Sequence, residues 1–279
     1  MAPDTKPDIG QTKKGDQPMK APSQDMLFSR AADLVLGAGA FIRREALHFK
    51  KERVREKSIN SLVSDVDLEA ERMLVEGLRQ VLPGSHFITE ENTTPANSGG
   101  QCWIIDPLDG TTNFIHGIPA YCVSVGFMED GVMQWGMVYE VCREEAFLAR
   151  RGGGATLNGH KIAVSTAGSL RDSLVATGFP YENFSYKEQY LRTLSALMEK
   201  THGLRRIGTA ALDLCYVACG RFEGYFEYNL NSWDVAAGSL IVQEAGGLVT
   251  DFRGGADFIF GKEILASNGL VHGALRMLI

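Results

Sequence analysis

Cysteine is scarce and unpatterned in this chain. The five cysteines (Cys102, Cys122, Cys142, Cys215 and Cys219) are odd in number and contain no C-x-x-C pair. That argues against a disulfide framework and points to reduced thiols in a cytoplasmic protein. Cys215 and Cys219 lie four apart and are read as core packing, because a free cysteine packs as a small hydrophobe. No apolar run approaches the ~18–20 residues of a membrane span. The first 25 residues lack the apolar stretch of a secretory signal. With Pro3, Pro7, Pro18 and Pro22 among Lys and Asp, they are expected to form a disordered tail. A basic excess is missing too: 28 Lys and Arg stand against 34 Asp and Glu, a formal net charge of −6. No broad positive field is available for a nucleic-acid backbone, and the charged stretch 50–57 is read as a solvated face. Acidity does not exclude anionic substrates, since a metal ion can supply positive charge locally. There is no internal repeat. The GAGAFI stretch at 37–42 lacks the third glycine of a dinucleotide loop and sits inside a helical pattern.

What is present is ordinary globular composition, 44% hydrophobic and 22% charged over 279 residues. Apolar residues recur at helical spacing over 26–50 (Leu27, Ala31, Leu34, Val35, Ala38, Phe41, Ile42). A charged connection over 51–57 follows. Ser64 or Asp65 then reads as the N-cap of a helix carrying Leu68, Met73, Leu74, Leu78 and Val81, which stops near Pro83-Gly84. Strands are expected at 86–89 and 103–105, a hairpin at 121–128 and 133–141 about Glu129-Asp130-Gly131, and a third strand at 145–149. The second half alternates. Strands are expected at 173–177, 224–228, 248–251 and 264–267. Helices are expected at 187–200, 210–219 and 233–245, the last ending at Gly246-Gly247. The fold class is therefore mixed α+β / α/β, antiparallel-rich in the N-terminal half and α/β-like in the C-terminal half.

The segment that carries chemistry is Trp103-Ile-Ile-Asp106-Pro-Leu-Asp109-Gly-Thr-Thr-Asn-Phe114. A hydrophobic strand ends at one carboxylate, Pro107 breaks it, and a second carboxylate follows three residues later. Gly110 has no Cβ, so a backbone N–H can approach a ligand closely, and successive N–H groups at such a turn can cradle a phosphate. Two carboxylates ~4 Å apart repel by ~4 kcal/mol at an effective dielectric near 20, unless a cation sits between them. Hard divalent cations prefer oxygen ligands of this kind. Glu90-Glu91 after the short strand and Asp234 at a helix start add carboxylates beside apolar anchors. Taken singly, DPLDG is a solvated turn, Glu90-Glu91 an exposed loop, and Asp67 and Asp234 helix-dipole acids. Together they fit one metal centre. Ser239 lacks a His partner and reads as packing. The six histidines are scattered, and His116 reads as surface.

WIIDPLDGTTNF and WDVAAGSLIVQEAGG resemble the two signatures of the inositol monophosphatase family. TEEN is similar to its Gly-Glu-Glu-Ser element, with Thr89 for Gly and Asn92 for Ser. SLVSDVDLEAE and RRIGTAALDLCYVACG resemble two further elements, in family order, over roughly residues 26–279. The resemblance implies a layered αβαβα sugar-phosphatase sandwich spanning 26–279, with halves of about 26–168 and 169–279. It implies two or three Mg2+ ions, with Mn2+ possible. Glu90, Asp106 and the Leu108 carbonyl would hold the first ion, and Asp106, Asp109 and Asp234 the second. Gly110 and Thr111 would bind phosphate through backbone N–H groups. Thr111 and Asp67 would polarise the attacking water. Glu227, Ala210 and Asp234 would face substrate, and Lys57 is matched to a family lysine near the first metal. A homodimer, Li+ sensitivity and direct hydrolysis of a small phosphate monoester, inositol 1-phosphate first, are implied as well. The same signature serves fructose 1,6-bisphosphate, histidinol phosphate and nucleotide 3′-phosphates, and Arg205 and Arg206 lie near the substrate element. A regulatory interaction protein on the same fold is the alternative of another class. No membrane or nucleic-acid partner is expected.

Overall fold

The computed structural model describes residues 23–50, 54–58, 61–96, 99–179 and 184–279. The expected tail therefore lies outside the described residues up to residue 22. Helix α1 (Gln24–Ala46) begins inside that tail's assigned span, capped by Ser23, whose hydroxyl accepts from the Met26 N–H. Its apolar stripe of Leu27, Phe28, Ala31, Val35, Ala38 and Ile42 is buried, as the 3.6-residue period requires.

The stretch read as a charged connection instead holds a strand. Strand β1 (Val54–Ser58) pairs antiparallel with β2 (Ser61–Ser64). Its pairing comes from the backbone ladder, which the charged side chains of this short stretch do not announce. The Lys57 side chain lies outside the described residues. Helix α2 (Asp65–Val81) follows directly, capped by Ser64.

A seven-stranded sheet comes next: β3 (His86–Thr89), β4 (Gln101–Asp109), β5 (Cys122–Glu129), β6 (Val132–Glu140), β7 (Glu145–Arg150), β8 (Gly154–Leu157) and β9 (His160–Lys161), in that spatial order. All its pairings are antiparallel except β3 with β4. Short helix α3 (Thr111–His116) interrupts the run between β4 and β5. The second sheet is ordered β11 (Gly203–Arg205), β10 (Leu174–Thr177), β12 (Gly224–Tyr228), β14 (Glu263–Ser267) and β13 (Leu248–Thr250). Its first three strands are parallel, as α/β alternation predicts, but β14 runs antiparallel to both its neighbours.

Helices α4 (Lys187–Lys200), α5 (Ala210–Ala218), α6 (Ser232–Glu244) and α7 (His272–Arg276) complete the chain. Burial sorts the elements into layers. Helices α1 and α2 cover the sheet face that carries Trp103, Ile105, Val123, Phe127 and Trp135. The opposite face, with Cys102, Ile104 and Phe147, packs on α5 and α6, which also receive Ala176, Tyr225, Ile264 and Ala266 from the second sheet. Val175, Phe226 and Leu265 on that sheet's outer face meet Tyr190 and Leu197 of α4 and Leu275 of α7. The order is αβαβα, as the resemblance implies. Sheets covered on both faces explain why β4 reads as a continuous apolar run.

Candidate active site

The site is built at the end of β4. Side chains of a strand alternate between faces, and Asp106 shares the face of Cys102 and Ile104, toward α5 and α6. Strict alternation would send Asp109 to the other face. The β4–β5 register prevents that: Asp106 pairs with Ser124 and Asp109 with Cys122, so β4 holds one extra residue between them. This is a β-bulge at Pro107-Leu108, where a proline without an N–H is tolerated. The bulge brings both carboxylates to one side. The Asp106 Oδ1 accepts from the Leu108 N–H (3.0 Å), and the Asp109 Oδ2 from the Ala211 N–H of α5 (2.8 Å).

Gly110 follows in left-handed conformation, φ +96°, and a Cβ there would lie 2.9 Å from the Ala120 carbonyl oxygen. Only glycine fits that turn without strain. Thr111 opens α3, and its Oγ1 donates to the Asp67 Oδ1 (2.8 Å) and lies 3.1 Å from the Leu108 carbonyl oxygen. Asp67 stands behind Thr111 in the first turn of α2. Its Oδ2 accepts from the Ser64 N–H (2.9 Å) and the Ser64 hydroxyl (2.5 Å). The Asp67 carboxyl thus both caps its helix and faces the site.

Glu90 continues the β3–β4 ladder, its N–H donating to the Ile105 carbonyl (3.2 Å). Asp234 lies in the first turn of α6, its Oδ2 accepting from the Asn231 N–H (2.6 Å). Glu227 on β12 faces the same helix layer and accepts from the Tyr225 hydroxyl (2.6 Å). Ala210 starts α5 beside its cap Thr209, whose Oγ1 accepts from the Leu212 N–H.

These groups line one cleft of about 240 Å³. Five of its lining side chains are carboxylates (Glu90, Asp106, Asp109, Glu227 and Asp234), and the single cationic one among the described residues is Arg206. The Arg206 guanidinium lies 5.5 Å from the Phe179 ring centroid. Charge crowding shows in the acidities. Burial holds Asp106 well above the usual carboxylate range, and the charges of Glu90, Asp109 and Asp234 raise it further. Burial lifts Asp109 to about 7, Glu227 to about 8 and Asp67 to about 6, and moves Asp234 up strongly. Among the described residues, no three Asp, Glu, His or Cys side chains are already drawn together as a closed ligand set. An all-oxygen donor set with mutually repelling charges suits a hard divalent cation.

The sequence-derived candidates Glu90, Asp106, Leu108, Asp109, Gly110, Thr111, Ala210, Glu227 and Asp234 thus share the cleft, with Asp67 bonded to Thr111. Arg205 and His116 are exposed and do not line it, whereas Arg206 does. Ser239 is buried, its hydroxyl committed to the Ala236 carbonyl (3.0 Å). Several contributors escaped the sequence reading. Asn113 is buried and donates to the carbonyls of Ala120 (2.8 Å) and Ile207 (3.0 Å), tying α3 to the loop before α5. Tyr225 holds Glu227. Glu71 braces the Glu90 loop; it closes the SLVSDVDLEAE stretch four residues after Asp67, but nothing in that stretch marks its partners.

The profile of the inositol monophosphatase family matches residues 24–278. A Neisseria meningitidis serogroup B protein named Putative Nus factor SuhB is 43% identical over 243 residues, which span 87% of this chain and 93% of that one. Among solved structures, the extragenic suppressor protein suhB from Bartonella henselae superposes with a TM-score of 0.85 at 36% identity, covering 90% of this chain and 97% of the other. An IMPase of Thermotoga maritima does so with a TM-score of 0.82 at 32% identity, covering 90% and 95%. Sequence and layer order thus agree, and the chain belongs to the inositol monophosphatase family.

Proposed function

We propose that the protein is a Mg2+-dependent phosphatase acting on small phosphate monoesters, inositol 1-phosphate first among them. The observation that supports this is the convergence, in one cleft, of Asp106 and Asp109 from β4, Glu90 from the end of β3 and Asp234 from α6 with the Gly110–Thr112 segment and the Thr111–Asp67 pair. Glu90, Asp106, Asp109, Asp234 and the Leu108 carbonyl would hold two or three ions. Such ions, Mg2+ or Mn2+, would supply a water of lowered pKa and neutralise phosphoryl charge.

The chain's own groups do the rest. The Thr111 hydroxyl donates to Asp67, so its lone pairs are left to accept from the attacking water. Asp67, at about 6, is mostly ionised at neutral pH and takes up the proton passed through Thr111. The Gly110 and Thr111 N–H groups hold phosphoryl oxygens in line for attack. Glu227 is fixed on one oxygen by Tyr225, and its other oxygen binds a substrate hydroxyl beside Ala210 and Asp234. Attack goes directly to phosphorus, with no phosphoenzyme. In this proposal the protein works in the cytoplasm as a homodimer inhibited by Li+. Among the described residues no helix is long and apolar enough to cross a membrane.

A second reading follows the name carried by the Neisseria relative: a Nus factor role, on the same fold, beside or in place of hydrolysis. The test is phosphate release from inositol 1-phosphate, fructose 1,6-bisphosphate, histidinol phosphate and adenosine 3′,5′-bisphosphate, with Mg2+, with EDTA and with Li+. Mg2+-dependent release led by inositol 1-phosphate and suppressed by Li+ is expected. Release led by another ester would keep the chemistry and move Glu227 out of its inositol role. No release by folded, metal-loaded protein would leave the Nus factor reading.

A further inference from the structure

Glu71 is fully buried on α2, one helical turn beyond Asp67 and therefore on the same face of the helix. Its two oxygens accept three hydrogen bonds. Oε1 accepts from the Thr89 hydroxyl (2.8 Å) and the Thr93 N–H (2.7 Å), and Oε2 from the Glu91 N–H (2.8 Å). The donors lie at 89, 91 and 93, on both sides of Glu90, which itself lines the cleft. The segment is held from behind at alternate residues while the acid between them looks the other way. Two further ties fix the loop. Asn92 adopts φ +53° and bonds the Glu90 carbonyl through its side-chain amide (3.1 Å). Arg79, in the last turn of α2, donates to the Thr94 hydroxyl (3.1 Å). Helix α2 therefore grips the site twice, through Asp67 on the Thr111 side and through Glu71 on the Glu90 side.

We propose that Glu71 is a positioning residue: by clamping residues 89, 91 and 93 it fixes the Glu90 carboxylate relative to Asp106 and sets the affinity of the cleft for its cation. The proposal rests on the cation-site reading above. A group that only orients a ligand governs affinity more than the chemical step, and loss of such partners typically costs about 10- to 100-fold in metal affinity. Glutamine matches glutamate in shape, but only its amide oxygen accepts; with that oxygen kept for Thr89 and Thr93, the amide nitrogen, a donor, faces the Glu91 N–H and that bond is lost.

The test is isothermal titration of Mg2+ into substrate-free wild type, Glu71→Gln, Thr89→Val and Thr89→Ser, with kcat measured over a Mg2+ series. Expected are a Kd raised about 10-fold or more in Glu71→Gln, a smaller rise in Thr89→Val, wild-type binding in Thr89→Ser, and kcat recovering at saturating Mg2+. Wild-type Kd in both Glu71→Gln and Thr89→Val overturns the proposal, whatever happens to their melting temperatures. Should Glu71→Gln fail to fold, the Thr89 pair decides alone. A wild type that neither binds Mg2+ nor hydrolyses phosphate esters would remove the cation site itself. A wild type that does both while the variants bind equally well removes only the role of Glu71.

Discussion

At Asp106, burial and three neighbouring negative charges act on one carboxyl. Asp106→Asn removes that charge while keeping the bond from the Leu108 N–H, because the amide oxygen still accepts. Turnover should fall by at least about 10²- to 10³-fold, the usual scale for removing one electrostatic contributor. The metal-free variant should melt higher than metal-free wild type, because a repelling buried charge is gone. Retained turnover would sink the assignment of Asp106 to the metals. Gly178 offers a second check. A Cβ built there would overlap the Glu227 carboxylate, so Gly178→Ala must displace it. A misplacement of this kind can cost up to about 10²-fold in kcat/KM for a polyol phosphate, while a substrate lacking hydroxyls, such as p-nitrophenyl phosphate, should be affected less. An equal loss on both would remove Glu227 from substrate recognition. The acids, Thr111 and Gly110 were legible in the sequence because each sits in a short motif. Asn113, Tyr225, Gly178 and Glu71 were not, because what they do depends on partners such as Ile207 and Thr93, fixed only by the fold.

Helix α2 shows how one element joins stability to chemistry. Its first turn is a capping box in which Ser64 and Asp67 bond each other's termini. Ser64→Ala should cost about 1 kcal/mol in a denaturant melt, as lost N-caps do. It should also change the pH profile. The bonds from Ser64 and Thr111 favour the ionised form of Asp67 and hold its pKa down to about 6 against burial. Without the Ser64 hydroxyl the pKa rises. Since the proton acceptor must be ionised, the acidic limb of kcat/KM should move to higher pH. A melt that shifts while the limb stays put would confine Ser64 to capping. Legibility at this scale followed periodicity. Helices α1, α2, α4, α5 and α6 carry apolar stripes or apolar runs with clear stops, and all were readable. Strands β9 and β11 are three residues or fewer, lie at sheet edges and hold no buried side chain, and β1 and β8 are only five and four residues long, so no alternation marks them.

Over the whole molecule, the layers bring acids from the end of β3, from β4, β12 and α6 to one cleft, although Glu90 and Asp234 lie about half the chain apart in sequence. Periodicity alone predicted the mixture of elements; the layer order came from the family resemblance, because no local pattern tells a strand which sheet it joins. The assembly has a consequence for stability. Asp109 and Glu227 carry pKa values of about 7 and 8 in the folded chain against ordinary values of 3.8 and 4.5. Raised folded-state values mean that folding favours the protonated groups. Their contribution is fully present below the ordinary values and is lost as pH rises through 7 and then 8. Metal-free protein should therefore lose stability from about pH 4 up to about pH 8. A divalent cation bound among these carboxylates competes with protons and relieves the repulsion they leave, so it stabilises most where they are ionised. The rise in melting temperature on adding Mg2+ should be larger at pH 8 than at pH 6, and Asp106→Asn should abolish most of the difference. A rise independent of pH, or one that survives in Asp106→Asn, would place the cation outside the carboxylate cleft.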